Sequence, residues 1–289
     1  MAWRAATGED LPTLMPVLRA RVQSSMFLLE NLGRHGLGSD HANGLTLWRQ
    51  TAGPGVFGIT NGGSVLMQAP EADAEDWRAA GALIADREIH GVLGDAPQVR
   101  RFIAANGMQH APATLNRDDP AFHLDLGALR LELRPDEEMI PLADAPRDLV
   151  ENWRAAYEME AIHAAPEKAR NKARADIAEF IAKDSHRVLI KAGTPVAMTG
   201  LNASVGDVVQ VGGVYTPPAL RGSGYARRVV GRHLLQARDR GASQAVLFAA
   251  SAQAARAYQA IGFQPAGAFA LVLYATPVRI MASRGEGGR

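Results

Sequence analysis

Between Val208 and Ala226 the chain reads VVQVGGVYTPPALRGSGYA. An apolar run ends at two prolines, a Gly-rich turn follows, and helical spacing begins at once behind it. Pro217 and Pro218 have no N–H to give a ladder, so they stop the strand. Gly222 and Gly224 permit backbone angles and close approach denied to other residues. Ser223, Gly224, Tyr225 and Ala226 then form the first turn, whose amides lack helical partners. Arg221 adds a fixed positive charge beside them. Strand, turn and helix in that order make a cradle for a phosphate-bearing ligand. A plain strand–loop–helix joint has the same outline, so the context has to decide. Arg227 stands where a dinucleotide fingerprint has its third glycine, and no Gly-Lys-Ser/Thr follows as in a P-loop.

The rest of the second half is regular. Leu149 to Ile162 and Glu167 to Lys183 are patterned as helices. Arg187 to Lys191, Pro195 to Leu201 and Val208 to Tyr215 read as three successive strands, with Gly193-Thr194 and Gly206-Asp207 at the turns. A helix from Gly224 to Arg240 buries Ala226, Val229, Val230, Leu234 and Ala237 on one stripe, and Gly241 ends it. Strand Gln244 to Ala249, helix Ser251 to Ile261 and strand Gly267 to Ala275 follow.

The first half repeats this outline without its chemistry. Asp10 to Asn31 reads as one helix. Gly55 to Thr60 and Ser64 to Gln68 flank Asn61-Gly62-Gly63 as a hairpin. Ala74 to Asp86 is a helix, Gly91 to Leu93 a strand, and Gln98 to Ala105 a helix ended by Gly107. Gly91 to Gly94 with its helix reads as a thin copy of Val211 to Ala226, which points to a tandem duplication. Thr114 to Leu133 reads as a strand and linker. Pro135 to Glu138 is a polar break, and the domains divide just ahead of it: 1–130, 131–280 and a tail, 281–289, whose Gly- and Arg-rich end from Ser283 reads as disordered.

Composition excludes several classes. The 289 residues carry a net charge of +1, with no global field for nucleic acid or membrane. Aromatic content is 6% and shows no interleaving with basic residues. With no cysteine, a disulfide framework, a thiolate nucleophile and a Cys-based zinc site are all impossible. The histidines lack His-x-x-x-His spacing, so no metal is expected. His233, on the helix behind the glycine turn, reads as packed or exposed rather than liganding. The N-terminus has no apolar core of signal-peptide length. A cytoplasmic protein is expected.

Arg221, Gly224 and Ala226, as Arg-x-x-Gly-x-Ala after a strand, resemble the acetyl-CoA signature of the GNAT family of N-acyltransferases. Tyr258-Gln-Ala-Ile-Gly262-Phe263 agrees with a second motif of that family. The specific resemblance covers about Val208 to Phe263, and VYTPPALRGSGYA looks like a subgroup built from two such domains with a degenerate first copy. The implied fold is α/β (α+β): two tandem acyl-CoA N-acyltransferase folds, each a mixed, mainly antiparallel sheet flanked by helices. The implied reaction is direct attack of an amine on acetyl-CoA in a ternary complex, without a covalent enzyme intermediate.

The same resemblance implies residue roles. Pantetheine amides would pair with the backbone of Val214, Tyr215 and Thr216, on a strand that splays from its neighbour. The pyrophosphate would sit on Arg221, Gly222, Ser223, Gly224, Tyr225 and Ala226. Tyr258 would protonate the leaving thiolate, although Ala254, Tyr258 and Ile261 share a helical stripe and a core tyrosine has the same pattern. Many members have Asn where this chain has Ser251 and Ala255; Ser251 can still cap the helix and join the cofactor site.

The residues alone supply the candidate base. Leu149, Trp153, Tyr157 and Glu160 share one helical face, so Glu160 follows an apolar stripe toward the interior or a cleft, and the other reading is an exposed helix end. Glu158 and His163 are the next candidates. Asn202 and Gln210 could orient substrate or water. Lys168, Arg170, Lys172 and Arg174 form a basic cluster, read as a solvated face or as an attractor for an acidic substrate or the CoA 3′-phosphate. The expected partners are acetyl-CoA and an unidentified amine, with no nucleic acid and no membrane. The first half lacks the signature and is expected to be structural. A non-catalytic acyl-CoA sensor is the alternative.

Overall fold

A computed structural model describes residues 2–281; the tail from Ser283 lies outside the described residues. The chain passes twice through one order of elements. The first pass is β1 (Trp3–Ala5), α1 (Leu11–Ala20), α2 (Val22–His35), β2 (Leu45–Gln50), β3 (Val56–Thr60), β4 (Ser64–Gln68), α3 (Ala74–Ala82), β5 (Ile89–Asp95), α4 (Ala96–Ala105) and β6 (Ala113–Asp125). The second is β7 (Glu137–Pro141), α5 (Arg147–Ala161), α6 (Pro166–Ala182), β8 (His186–Lys191), β9 (Thr194–Val205), β10 (Val208–Tyr215), α7 (Tyr225–Asp239), β11 (Gln244–Phe248), α8 (Ala252–Gln259) and β12 (Gln264–Val278). This one-to-one order is the tandem fold expected from the sequence.

The compact units do not follow the halves of the chain. One comprises Met1–Asp118 and Ala268–Arg289, the other Asp119–Gly267. In the first, strands run in the order β1-β2-β3-β4-β5-β12, and in the second β7-β8-β9-β10-β11-β6. All these neighbours pair antiparallel except β4 with β5 and β10 with β11. The halves have therefore exchanged their last strands. The seam expected near residue 130 falls instead at Asp118/Asp119, with a return at Gly267/Ala268.

The element order also realigns the two copies. β10 and α7 correspond to β4 and α3, and β11 and α8 to β5 and α4. The expectation that Gly91 to Gly94 copies the signature strand is off by one strand. The decisive feature is the parallel pair: Ser64, Val65 and Leu66 pair with Gly91, Val92 and Leu93 as Val208, Val209 and Gln210 pair with Gln244, Ala245 and Val246.

Several elements differ locally from the sequence reading, which has no strand where β1 and β2 stand. Asp10 to Asn31 breaks at Arg21, whose backbone is non-helical (φ −126°, ψ 44°), so that α1 and α2 each bury their own apolar face. The polar break at Pro135 to Glu138 is partly an edge strand, β7, paired with β8. Edge strands tolerate such charges.

Apolar burial holds each unit together. The first packs Phe57, Trp77, Val92 and Phe102 in one cluster. The second packs Val229, Val230, Leu234, Leu247 and Phe263 together, and Trp153, Ile177, Val188 and Tyr215 separately. Full burial of each large apolar side chain contributes about 1.5–3 kcal/mol.

Candidate functional site

The site is built where β10 parts from β11. Their pairing ends at Gln210↔Val246, while β11 runs on to Phe248, paired with β6 on its other side. From Val211 onward, the edge of β10 that faced β11 is open. A register shift between Gly212 and Tyr215 adds a residue to β10, and Gly213 takes it up at φ +60°. Bulges of this kind turn a strand and end its pairing.

Past Tyr215 the chain turns sharply into α7. Gly224 is the N-cap, with φ +76° and no side-chain cap. A Cβ there would be strained by the angle and would lie 2.8 Å from the Arg228 guanidinium. The amides of Gly222, Ser223, Gly224, Tyr225 and Ala226 make no hydrogen bond among the described residues. Donors and helix dipole thus converge on one spot, as an anion requires.

Arginines hold this turn in shape. Arg221 Nε donates to the Thr216 carbonyl at 2.9 Å and closes the loop. Arg228 is buried; its Nε donates to both Glu137 oxygens, at 2.8 and 3.0 Å, and its Nη1 to the Ser223 carbonyl at 2.9 Å. The wholly buried Glu137 thereby ties the signature helix to β7. Sequence reasoning missed this pair, because a glutamate in a polar segment carries no local sign of burial.

Residues 147–263 match the model of the acetyltransferase (GNAT) family. The second unit is a GNAT acyltransferase domain. No curated protein matches the chain significantly. Among solved structures, a GCN5-related N-acetyltransferase from Kribbella flavida is 20% identical, with a TM-score of 0.56 over 89% of this chain and 95% of that one. A tandem GNAT protein from the clavulanic acid biosynthesis pathway is 12% identical, with a TM-score of 0.52 over 97% and 99%. A GNAT-family acetyltransferase from Colwellia psychrerythraea is 13% identical, with a TM-score of 0.51 over 95% and 100%. At these identities the likeness is one of fold, and it spans both copies.

Tyr258, on α8 of the GNAT domain, is buried and packs its ring edge-on against Phe263, 6.1 Å away. Its hydroxyl has no hydrogen-bond partner among the described residues. Burial, and then the neighbouring Tyr157, push its pKa far above the ordinary phenol value, so it stays protonated across the working range. Ser251 caps α8, accepting from the Ala254 amide at 3.2 Å.

Glu160 is not the buried carboxylate its stripe suggests. Its side chain is 44% exposed. Oε2 accepts from Arg221 Nη2 at 2.5 Å, and Oε1 accepts from the Tyr215 hydroxyl at 3.3 Å. It stands beside the phosphate cradle, with both oxygens engaged. Glu158 is the buried one, but it is bound to Arg154, which also donates to Asp176 at 2.8 Å. His163 is exposed.

The central strands add two amides. Gln210 is 1% exposed, its Oε1 has no partner, and it is the last residue of β10 paired to β11. Asn202 is exposed on β9, where the register slips opposite Gln210 and Val211. The basic cluster on α6 is partly neutralised: Lys172 binds Asp176 at 2.8 Å, and Arg174 lies 4.0 Å from Glu151. His233 is packed in the core. No helix among the described residues is long and apolar enough to cross a membrane.

Proposed function

We propose that this protein transfers an acetyl group from acetyl-CoA to an amine by direct attack in a ternary complex. One observation carries the reading: in the GNAT domain, a one-sided strand leads directly into a helix mouth with bare amides. Pantetheine amides would pair with the open edge at Val214, Tyr215 and Thr216. The pyrophosphate would take the amides of Gly222 to Ala226. Tyr258, protonated and unpartnered, would give its proton to the departing sulfur as the C–S bond breaks.

Arg221 has two claimants. Before donor binding it holds Glu160; an arriving pyrophosphate offers it a stronger, multiply charged partner. Its transfer would free Glu160 to take the proton lost by the attacking amine. Gln210, at the apex of the splay, would orient that amine or a water through its unpartnered oxygen. The carboxylate's engagement in the free protein also favours a second reading, a sensor that binds acyl-CoA without turning it over.

Two measurements separate these readings. Acetyl-CoA should raise the thermal midpoint under both, since it binds the folded state. Release of free CoA across a panel of amines is expected only of the enzyme. Stabilisation without release on any amine would leave the sensor; no stabilisation would remove the site itself.

A further inference from the structure

In the free protein the Arg221 guanidinium fills a seat that suits a cation. Its Nη2 donates to Glu160 Oε2 at 2.5 Å, and its central carbon lies 5.7 Å from the centre of the Tyr215 ring. A carboxylate and an aromatic face at such range both hold positive charge. The frame of the seat stands without the arginine. Tyr215 is buried beside Trp153, ring centres 6.3 Å apart, and its hydroxyl donates to Glu160 Oε1 at 3.3 Å. Arg221 is the member with another place to go, because it springs from the phosphate-binding turn and its side chain is 41% exposed. The chain around the carboxylate is apolar. Met159, directly before Glu160, is 37% exposed, and Ile162, two residues after it, is half-buried.

We propose that this seat takes the ammonium head of the acceptor, and that the acceptor is a primary alkylamine with an apolar tail. The proposal rests on the acyl-CoA reading, since the seat empties when a pyrophosphate draws Arg221 away. The arginine is then an internal stand-in for the substrate, and donor binding uncovers the acceptor's place. In the seat the ammonium faces the carboxylate. One N–H proton passes to Glu160, and the electron pair left on nitrogen forms the bond to the thioester carbon. The C–S bond breaks with its pair going to sulfur, which takes a proton from Tyr258. An arylamine, uncharged near neutral pH, gains nothing from the carboxylate. An aminosugar would set its hydroxyls against Met159 and Ile162, at the cost of their water.

Calorimetry on the full chain, with hexylamine as the probe, tests this with and without saturating CoA. CoA carries no acetyl group, so nothing turns over. Hexylamine should bind about fivefold more tightly when CoA is present, the worth of releasing one exposed ion pair. By reciprocity, hexylamine should tighten CoA by the same factor. Arg221→Met should bind hexylamine at the tighter level with no CoA at all. Glu160→Gln should weaken hexylamine about tenfold in the presence of CoA, as loss of a charge-assisted contact does. Hexylamine affinity unchanged by CoA would overturn the displacement of Arg221, and affinity unchanged by Glu160→Gln would overturn the seat. Glucosamine bound as tightly as hexylamine would overturn the apolar tail. Binding of CoA without any binding of hexylamine would overturn the proposal and leave the acyl-CoA reading intact, whereas no binding of CoA would sink both.

Discussion

The same joint, strand into turn into helix, occurs once in each unit with opposite chemistry. In the second unit, β10 reaches α7 through Arg221 and Gly224, and the first amides of the helix are bare. In the first unit, β4 reaches α3 through Asp73, whose carboxylate accepts from the amides of Glu75 and Asp76 at 2.8 and 2.9 Å. Asp76 returns a bond from the Asp73 amide at 3.3 Å. This capping box uses up the donors and places acidic groups where a phosphate would sit. Gln98, fully buried, accepts from the Ala69 amide just past β4 at 2.6 Å. Arg101 donates to the carbonyls of Ala72 and Pro70 at 3.2 and 2.8 Å. The first copy has filled its own cleft with side chains. The lesson is that a fold can keep its architecture and lose a ligand site by satisfying the site's hydrogen bonds internally.

The largest test concerns the helix after the next strand. The Tyr258 carbonyl accepts from the Phe263 amide at the end of α8 as the Ile103 carbonyl accepts from the Met108 amide at the end of α4, so the first copy has a buried, hydroxyl-free side chain at this place. Tyr258→Phe likewise removes the hydroxyl from the second. If the phenol protonates the thiolate, turnover should fall by about 10²–10⁴, with acetyl-CoA affinity nearly unchanged. Steady-state kinetics beside calorimetry would show it, and undiminished turnover would make Tyr258 a core residue like its counterpart.

Ala226→Glu would make the second mouth acidic like the first. A carboxylate in the first turn is compatible with the helix dipole, so the free protein should melt near its usual temperature. Acetyl-CoA affinity should fall by about a hundredfold or more, as expected when a phosphate meets a like charge at close range. Unchanged affinity would move the phosphate site elsewhere.

Acid should separate the units. The second buries His186 and His233 in neutral form. Burial pushes His233 down to about 3, aided by Arg187 and Arg240 and opposed by Asp184, and drives His186 well below its ordinary value. Above an unfolded value of about 6.5 neither state binds the proton. Below it the unfolded chain does and the folded one does not, so stability falls as pH drops from 6.5 toward 3, by an order of a few kcal/mol. The first unit's clearest shift is Asp10, held low by Arg4, and that stability is lost only below about 4. Hydrogen exchange across a pH series should show the second unit loosening first; simultaneous loosening would contradict the assignment.

The smallest effect separates binding from chemistry within the active cradle. Glu160→Gln removes the carboxylate that competes for Arg221. An exposed pair of this kind contributes at most about 1 kcal/mol, so CoA should bind up to about fivefold more tightly. Turnover should fall if Glu160 takes the amine's proton. Tighter binding with unchanged turnover would leave Glu160 a gate on the cradle and nothing more.

Much of this was legible along the chain. Helices α5, α6, α7 and α8 and strands β8, β9 and β10 fall within a few residues of their expected positions, because periodicity and turn residues act locally. The motif residues Arg221, Gly224, Ala226 and Tyr258 stood out for the same reason. Glu160 did not yield its partners, since an apolar stripe tells which way a helix turns and not what meets its end.

The sequence by itself determined the elements, their order, and the glycine turn whose backbone only those residues can adopt. The tertiary structure decided which strand each strand met. Alternation fixes the faces of a strand but not its partner, and so β6 and β12 could exchange units without any local trace. The same step decided function: an amide is a binding site only where nothing else in the fold has reached it. Asp73 and Gln98 close that possibility in the first unit, and the parting of β10 from β11 keeps it open in the second.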